Sequence, residues 1–203
     1  MKFFSKYLFV SFILIVFGSS SLFGQTFNWA NRIGNTGAEQ AKGITIDASG
    51  NTYLTGWFSS NTLDFDPGPG TANLTCVGYN IFIAKYDAAG NYVWAKSIGA
   101  GSTEDGRDIV VDGSGNVYIT GQFQATVDFD PGAGTSNLSA VAMADVFFGE
   151  FSNSGGLSWI ESVGGTGDDV SNSIKVNGNL DIFFTGQFSG TADFDPSAGN
   201  TSL

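Results

Sequence analysis

Trp29, Trp94 and Trp159 stand 65 residues apart, twice over, and most of the chain between and after them repeats in step. The segments GITIDASGNTYLTGWF (43–58), DIVVDGSGNVYITGQF (108–123) and SIKVNGNLDIFFTGQF (173–188) are three versions of one unit. DFDPG at 64–68 returns as DFDPG at 128–132 and as DFDPS at 193–197. A period this long, built of strand-like pieces, predicts structural units that are stacked or arranged around an axis.

Within each copy two hairpins can be traced. Ile44 and Ile46 alternate with Thr45 and Asp47, a turn follows, and Tyr53-Leu54-Thr55 begins the return. Alternation of this kind with β-branched and aromatic residues predicts strands. The turn reads Asp47-Ala-Ser-Gly-Asn51, then Asp112-Gly-Ser-Gly-Asn116, then Asn177-Gly178-Asn179. Asp and Asn bond nearby backbone, and Gly supplies positive φ. The second hairpin, NIFIAKYDAAGNYVWAKSIG (80–99), is matched by DVFFGEFSNSGGLSWIESVG (145–164), with turns at 87–91 and 152–156. No apolar pattern of helical period survives for two turns, and 29 glycines oppose helix.

About four strands per copy, plus a connecting segment that carries DFDPG, fit an all-β chain of four-stranded antiparallel β-propeller blades. A parallel β-helix needs much shorter coils, and a sandwich domain needs about 100 residues and more strands. The apolar set Ile44, Ile46, Leu54, Phe58, Ile81, Ile83 and Trp94, with its counterparts, cannot be hidden by one twisted sheet. Packing sheet faces between neighbouring blades would bury it, and that burial is the dominant favourable term.

These motifs together resemble the bacterial β-propeller repeat family known as SBBP. The resemblance rests on Trp29 to Gly34, Ile44 to Phe58 and Asn80 to Tyr86 with their second copies, and covers roughly residues 28–203. The DFDPG insertion resembles a variant found in exported proteins of the Bacteroidetes kind. The family implies a propeller fold and no defined activity. The third copy departs at Leu180 and Asp181, where Gly-Asn is expected, so less regular pairing is expected there.

Residues 1–24 have the layout of a secretory signal peptide: Lys2 and Lys6, an apolar stretch from Leu8 to Phe17, then small residues up to Gly24. Cleavage is expected before Gln25 or at Ser21. The apolar core is too short for a membrane span, which takes roughly 20 residues. The expected location is therefore secreted or cell-surface. The remainder, 25–203, keeps six bases against all 19 acids, a balance that disfavours nucleic acid and anionic membrane as partners. Cys76 is the only cysteine, so no intrachain disulfide forms; its counterparts Ala140 or Val141 mark a small apolar packing position. The absence of histidine removes the usual general base and zinc ligand.

Counted by tryptophan, the copies span 29–93, 94–158 and 159–203, the last cut short, about 2.7 in all. Propellers use about four to eight blades, so the reading is an incomplete β-propeller. Its missing blades come from a longer chain, of which this is a truncated piece, or from other copies of this chain.

The best candidates for chemistry are the Asp-x-Asp pairs Asp64 and Asp66, Asp128 and Asp130, Asp193 and Asp195. Alternate residues of an extended segment share a face, so each pair could offer two carboxylates to calcium. The competing reading is structural: Asp66 opens a tight turn through Pro67 and Gly68 while Asp64 caps backbone amides. No other cofactor is expected. The acidic group Glu104, Asp105 and Asp108, with counterparts Glu39, Asp168 and Asp169, reads as a solvated loop. The glycine-rich stretches at 99–103 and 164–167 lack the Lys-Ser/Thr of a phosphate loop. Trp57, whose counterparts are Gln122 and Gln187, is placed to stack on a sugar or peptide, or to pack at a rim.

The expectation is therefore an exported, non-catalytic repeat protein for binding, adhesion or scaffolding, with an extracellular glycan or protein as partner. The alternatives are a calcium-dependent carbohydrate-binding module, or part of a larger hydrolase whose catalytic residues lie elsewhere.

Overall fold

Asp47 shows how the sequence sets its turns. Its Oδ1 accepts the amides of Ser49 and Asn51, both at 2.9 Å, and its own amide and carbonyl close the loop against Asn51 and Gly50. The fourth residue must then turn left-handed, and Gly50 does so at φ 83°. The computed structural model, which describes residues 12–18, 26–59, 61–197, 199 and 201–202, repeats this loop at Asp87, Asp112 and Ser152.

The strands between these turns build two complete four-stranded antiparallel blades. The first runs β3 (Glu39–Ile46), β4 (Thr52–Phe58), β7 (Asn80–Tyr86) and β8 (Tyr92–Ile98). The second runs β9 (Asp105–Val111), β10 (Val117–Phe123), β13 (Asp145–Phe151) and β14 (Leu157–Gly165), and β17 (Ala192–Asp193) adds to its outer edge. A third sheet holds β15 (Val170–Val176) and β16 (Ile182–Gln187). Before the first blade, β1 (Phe12–Gly18) pairs with β2 (Thr26–Ile33). The described residues are thus all strand and loop, a partial β-propeller.

The DFDPG segment is more than a connector. It forms the loop of a small hairpin of its own, β5 (Thr62–Asp64) with β6 (Asn73–Thr75), and again β11 (Thr126–Asp128) with β12 (Asn137–Ser139). Each full copy therefore has six strands, not four.

Burial follows the faces between blades. Tyr53, Ile81 and Ile83 of the first blade cluster with Ile109, Ile119 and Phe147 of the second. Tyr118 and Val146 of the second cluster with Ile174 of the third sheet, where Phe184 stacks on Phe148 at 5.1 Å. Of the apolar set, Leu54, Phe58, Ile81 and Ile83 are buried. Ile44 and Ile46 are not: Ile44 is 50% exposed whereas its counterparts Ile109 and Ile174 are 1% exposed. The innermost strand of one copy covers that of the next, and among the described residues β3 has no such neighbour on its outer side.

The third copy keeps its turn despite its altered sequence. Asn177 Oδ1 accepts the amides of Asn179 and Asp181 as Asp47 accepts those of Ser49 and Asn51. The side-chain bond reverses so that Asn177 donates to Asp181 at 2.8 Å, and β15 pairs β16 through a bulge placed like that of β3 and β4. The expected irregularity falls instead on one residue: Leu180 is held at φ 66°, where the other copies use glycine. Left-handed geometry costs a residue with a Cβ about 1–2 kcal/mol. Leu180 is exposed, so Leu180→Gly gives up little burial. The variant should gain about 1 kcal/mol and raise Tm by a few degrees in a thermal melt.

Residues 19–25, which include the expected cleavage positions, lie outside the described residues, as do residues 1–11 and Leu203.

Candidate functional site

Each Asp-x-Asp pair is drawn into its own loop. Asp64 Oδ1 accepts the amides of Asp66 at 3.0 Å and Ala72 at 2.7 Å, and Asp66 Oδ1 accepts the Gly68 amide at 2.7 Å. Asp128 and Asp130 bind the amides of Asp130, Ser136 and Gly132 in the same way. Asp193 and Asp195 bind those of Asp195, Thr201 and Ser197. Hydrogen bonds from Ser197 hold the Asp195 carboxyl below its ordinary pKa.

The phenylalanine inside each motif anchors the loop. Phe65 and Phe129 are fully buried and meet Phe58 and Phe123 edge to face at 5.6 and 5.4 Å, while Tyr86 donates its hydroxyl to the Phe65 carbonyl at 2.9 Å. Among the described residues no three His, Cys, Asp or Glu side chains gather as a metal site. A cation at any pair would draw its other oxygens from carbonyls and water. Beside the first pair, a groove of about 350 Å³ is lined by Asn31, Asp66, Pro67, Asn91 and Tyr92 among others.

The acidic group expected on a solvated loop is largely buried: Glu39, Glu104, Asp105 and Asp169 are all in the interior. The reason is the crossover between blades, whose amides need acceptors. Asp169 takes the amides of Gly165 and Ser189, each at 2.8 Å. Glu104 holds the corresponding position. Burial pushes its pKa up, against the pull of the Ser102 hydroxyl and the amides of Ala100, Ser102 and Glu104. The glycine-rich stretches that invite a phosphate reading are these same crossovers, and at the second the chain's own Asp169 already takes the amides. The signal for this in the sequence is the recurrence of an acid at 39, 104 and 169.

Asp145 completes the second crossover. Its Oδ2 accepts the Val141 amide at 3.0 Å, and burial first, then the negative charge of Asp169, push its pKa above the ordinary 3.8. The first copy has Asn80 here, donating to Ser97 Oγ at 2.9 Å, and Ser162 stands at the matching place in the second. With its folded pKa raised, Asp145 contributes stability that is fully present below the unfolded pKa and is lost as pH rises through the folded one. Asp145→Asn should therefore stabilise by roughly 1–3 kcal/mol at neutral pH. The gain should vanish in acid below the ordinary value, as read by urea melts across pH.

The innermost strands are tied by ions. Lys42 on β3 meets Asp105 on β9 at 2.5 Å, and Arg107 meets the same carboxylate at 2.6 Å. Arg107 also reaches Asn172 on β15 at 3.4 Å, and Asp108 accepts from Ser173 Oγ and the Ile174 amide. Lys42, Arg107 and Asn172 occupy one position of the repeat, 65 residues apart.

The outer strands are clasped by the repeated tryptophans. Trp29 Nε1 donates to the Ala88 carbonyl at 3.1 Å, and Trp94 Nε1 to the Asn153 carbonyl at 2.9 Å, each reaching the turn of the next blade, 59 residues on. Trp159 turns to Glu150 at 3.2 Å. Asn153 also accepts Tyr53 Oη and Lys85 Nζ through its side chain.

Apolar side chains also stand exposed in two equivalent loops. Val77 and Tyr79, before β7, and Val141 and Met143, before β13, are exposed at similar places in successive copies. Trp57 meets Tyr79 edge to face at 5.0 Å, so the residue singled out for stacking packs beside the first of these loops. Cys76 beside it is buried, and its thiol is raised in pKa by burial and by the charge of Glu39.

The blades, their clasps and their shared faces define a repeat protein of the β-propeller class. Residues 93–122 match the β-propeller repeat family SBBP, so the chain carries a repeat of that family. It is also 29% identical to an uncharacterized WD repeat-containing protein of Acanthamoeba polyphaga mimivirus, over 86% of this chain and 14% of that protein. It is 23% identical to Regulatory protein FlaEY of Caulobacter vibrioides, over 59% of this chain and 13% of that protein. The chain thus spans about one seventh of the length of these curated relatives.

Proposed function

We propose that this chain is an exported, non-catalytic β-propeller module that binds an extracellular protein or glycan, in adhesion or scaffolding. The observation that carries this reading is a pair of apolar loops, Val77 and Tyr79 beside the half-buried Trp57 in one copy and Val141 and Met143 in the next, exposed while the acids of the repeat serve its own backbone. Exposed apolar residues grouped in this way mark places where partners dock. The repeat family and the WD repeat-containing relative support a scaffold role. Export rests on the first 24 residues, and the acidic balance keeps nucleic acid and anionic lipid away. The test is binding to arrayed glycans and surface proteins, comparing the chain with Trp57→Ala/Tyr79→Ala. A ligand retained equally by the double variant removes these loops from the reading, and no ligand on any array removes the reading.

The second reading is calcium-dependent carbohydrate binding, favoured by the polar groove in which Asp66 lies beside Asn31, Asn91 and Tyr92. Millimolar calcium should then raise Tm, and Asp66→Asn should abolish the rise. An unchanged Tm in calcium rejects it.

A further inference from the structure

We propose that Asn177 is a site of spontaneous covalent modification, at which the Gly178 nitrogen displaces the side-chain amide and leaves aspartate or isoaspartate in its place. Asn177-Gly178 is the one Asn-Gly step in the chain. In the first two copies the turn opens with Asp47 and Asp112 and closes with Asn51 and Asn116, each followed by a strand residue, Thr52 or Val117. The third copy exchanges the two ends, Asn177 for aspartate and Asp181 for asparagine, and so sets an asparagine before a glycine.

The turn suits the reaction in three ways. The first is access. Asn177 and Gly178 are exposed, and a Cβ at Gly178 would meet nothing within 4 Å. Ala48 and Gly113, at the same place in the other copies, are exposed as well, so access belongs to the turn position itself. Among the described residues no acceptor holds the Gly178 amide, and without a Cβ its backbone is free to swing toward the Asn177 side chain. The second is an activated carbonyl. Asn177 Oδ1 accepts the amides of Asn179 and Asp181, both at 2.9 Å. These donors face the oxygen that turns negative as nitrogen adds to Cγ, which is the arrangement of an oxyanion hole. The third is the leaving group. Nδ2 donates to the Asp181 carboxylate at 2.8 Å, and that charge favours protonation of the departing nitrogen.

In the reaction, Gly178 N gives its proton to hydroxide and bonds to Asn177 Cγ. The Cγ–Nδ2 bond breaks, and ammonia leaves with a proton from water. The cyclic imide then takes up one water at either carbonyl. One opening gives aspartate; the other gives isoaspartate, in which the main chain runs through Cγ. Isoaspartate adds a methylene to the backbone where the Asn177 amide and carbonyl close the loop against Asp181 and Leu180. The β15–β16 hairpin should loosen there, and with it the packing of Ile174 and Phe184 on Tyr118 and Phe148 of the second blade.

The test holds the purified chain at about pH 8 for weeks and follows, by mass spectrometry, the tryptic peptide that begins after Lys175. The expected result is a gain of about 1 Da at position 177, with part of the product labelled by isoaspartyl methyltransferase. The rate should rise about tenfold per pH unit, as proton removal by hydroxide requires. Gly178 is not left-handed, so Gly178→Ala fits the turn as Ala48 does, and it should slow the conversion about tenfold. A free peptide of residues 173–185 measures what the dipeptide does alone, and the folded chain should convert at least as fast. No gain at 177, a rate indifferent to pH, an undiminished rate in Gly178→Ala, or a folded chain slower than the peptide would overturn the proposal.

Discussion

Gly121→Ala should cost roughly 3 kcal/mol or more and unfold the second blade first. A Cβ at Gly121 would be driven into the carbonyl oxygen of Asp105 on the adjoining strand, with Phe147 Cε1 only 2.9 Å away on the other side. The same holds at Gly56 against Gln40 and at Gly186 against Val170, so the glycine of each T-G-x-F motif lies beneath a neighbouring carbonyl. The cause is the bulge between the two inner strands, at Thr120 and Gly121 in the second blade and at Ala41 to Gly43 in the first. A bulge brings the strands closer on one side and adds twist there. Backbone cannot retreat as a flexible side chain can, so the strain remains in the fold. Urea melts should show a lower midpoint for Gly121→Ala. Gly113→Ala, where a Cβ meets nothing within 4 Å, should stay within about 0.5 kcal/mol of the parent.

Asn153→Ala should lose roughly 2–3 kcal/mol. Asn153 sits in a turn of the second blade, yet its side chain serves the first: Tyr53 Oη donates to it at 3.3 Å and Lys85 Nζ donates to the same oxygen. Lys85 is buried, and its remaining compensation is the face of Tyr53, 4.9 Å from the ring centre. Removing the acceptor strands an ammonium between two blades. Lys85→Met alone should cost less, and the pair Lys85→Met/Asn153→Ala should be more stable than Asn153→Ala. A double-mutant cycle in urea would measure that coupling. Additive losses would place Lys85 outside the contact.

The architecture was legible because repetition and turn chemistry are local. Asp47, Gly50 and Asn51 dictate a hairpin wherever they recur, and Leu54, Phe58, Ile81 and Ile83 are buried because β4 and β7, the middle strands of their blade, are covered on both faces. What the sequence hid depends on neighbours. Ile44 and Ile109 read alike, but the first is exposed and the second buried, since burial is set by the adjacent blade. Glu39, Glu104 and Asp169 read as surface charge because acids usually are. Their recurrence in register with the glycine-rich crossovers was the clue that they lie inside, where Asp169 caps the amides of Gly165 and Ser189. Leu180 shows the converse: a residue that looks like a broken motif keeps the motif's geometry, since Asn177 and Asp181 still fix the loop.

The exposed apolar loops were legible only in part. Trp57 stood out by differing from Gln122 and Gln187, but Tyr79, Val77 and Met143 lie in loops whose exposure follows from the path of the small β5–β6 and β11–β12 hairpins. That path could not be foreseen from a segment read as a plain connector.

All of this depends on sheets that acquire an interior by lying against one another. Residues 38–100 contain every strand of the first blade, and their amide exchange, measured alone and within the whole chain, addresses that dependence directly. In the whole chain the amides of β4 and β7 should be the slowest to exchange. In the isolated blade they should exchange at the rate of an unfolded peptide, because Tyr53, Ile81 and Ile83 have lost the face of Ile109 and Ile119. Equal protection of β4 and β7 in the two samples would contradict the account.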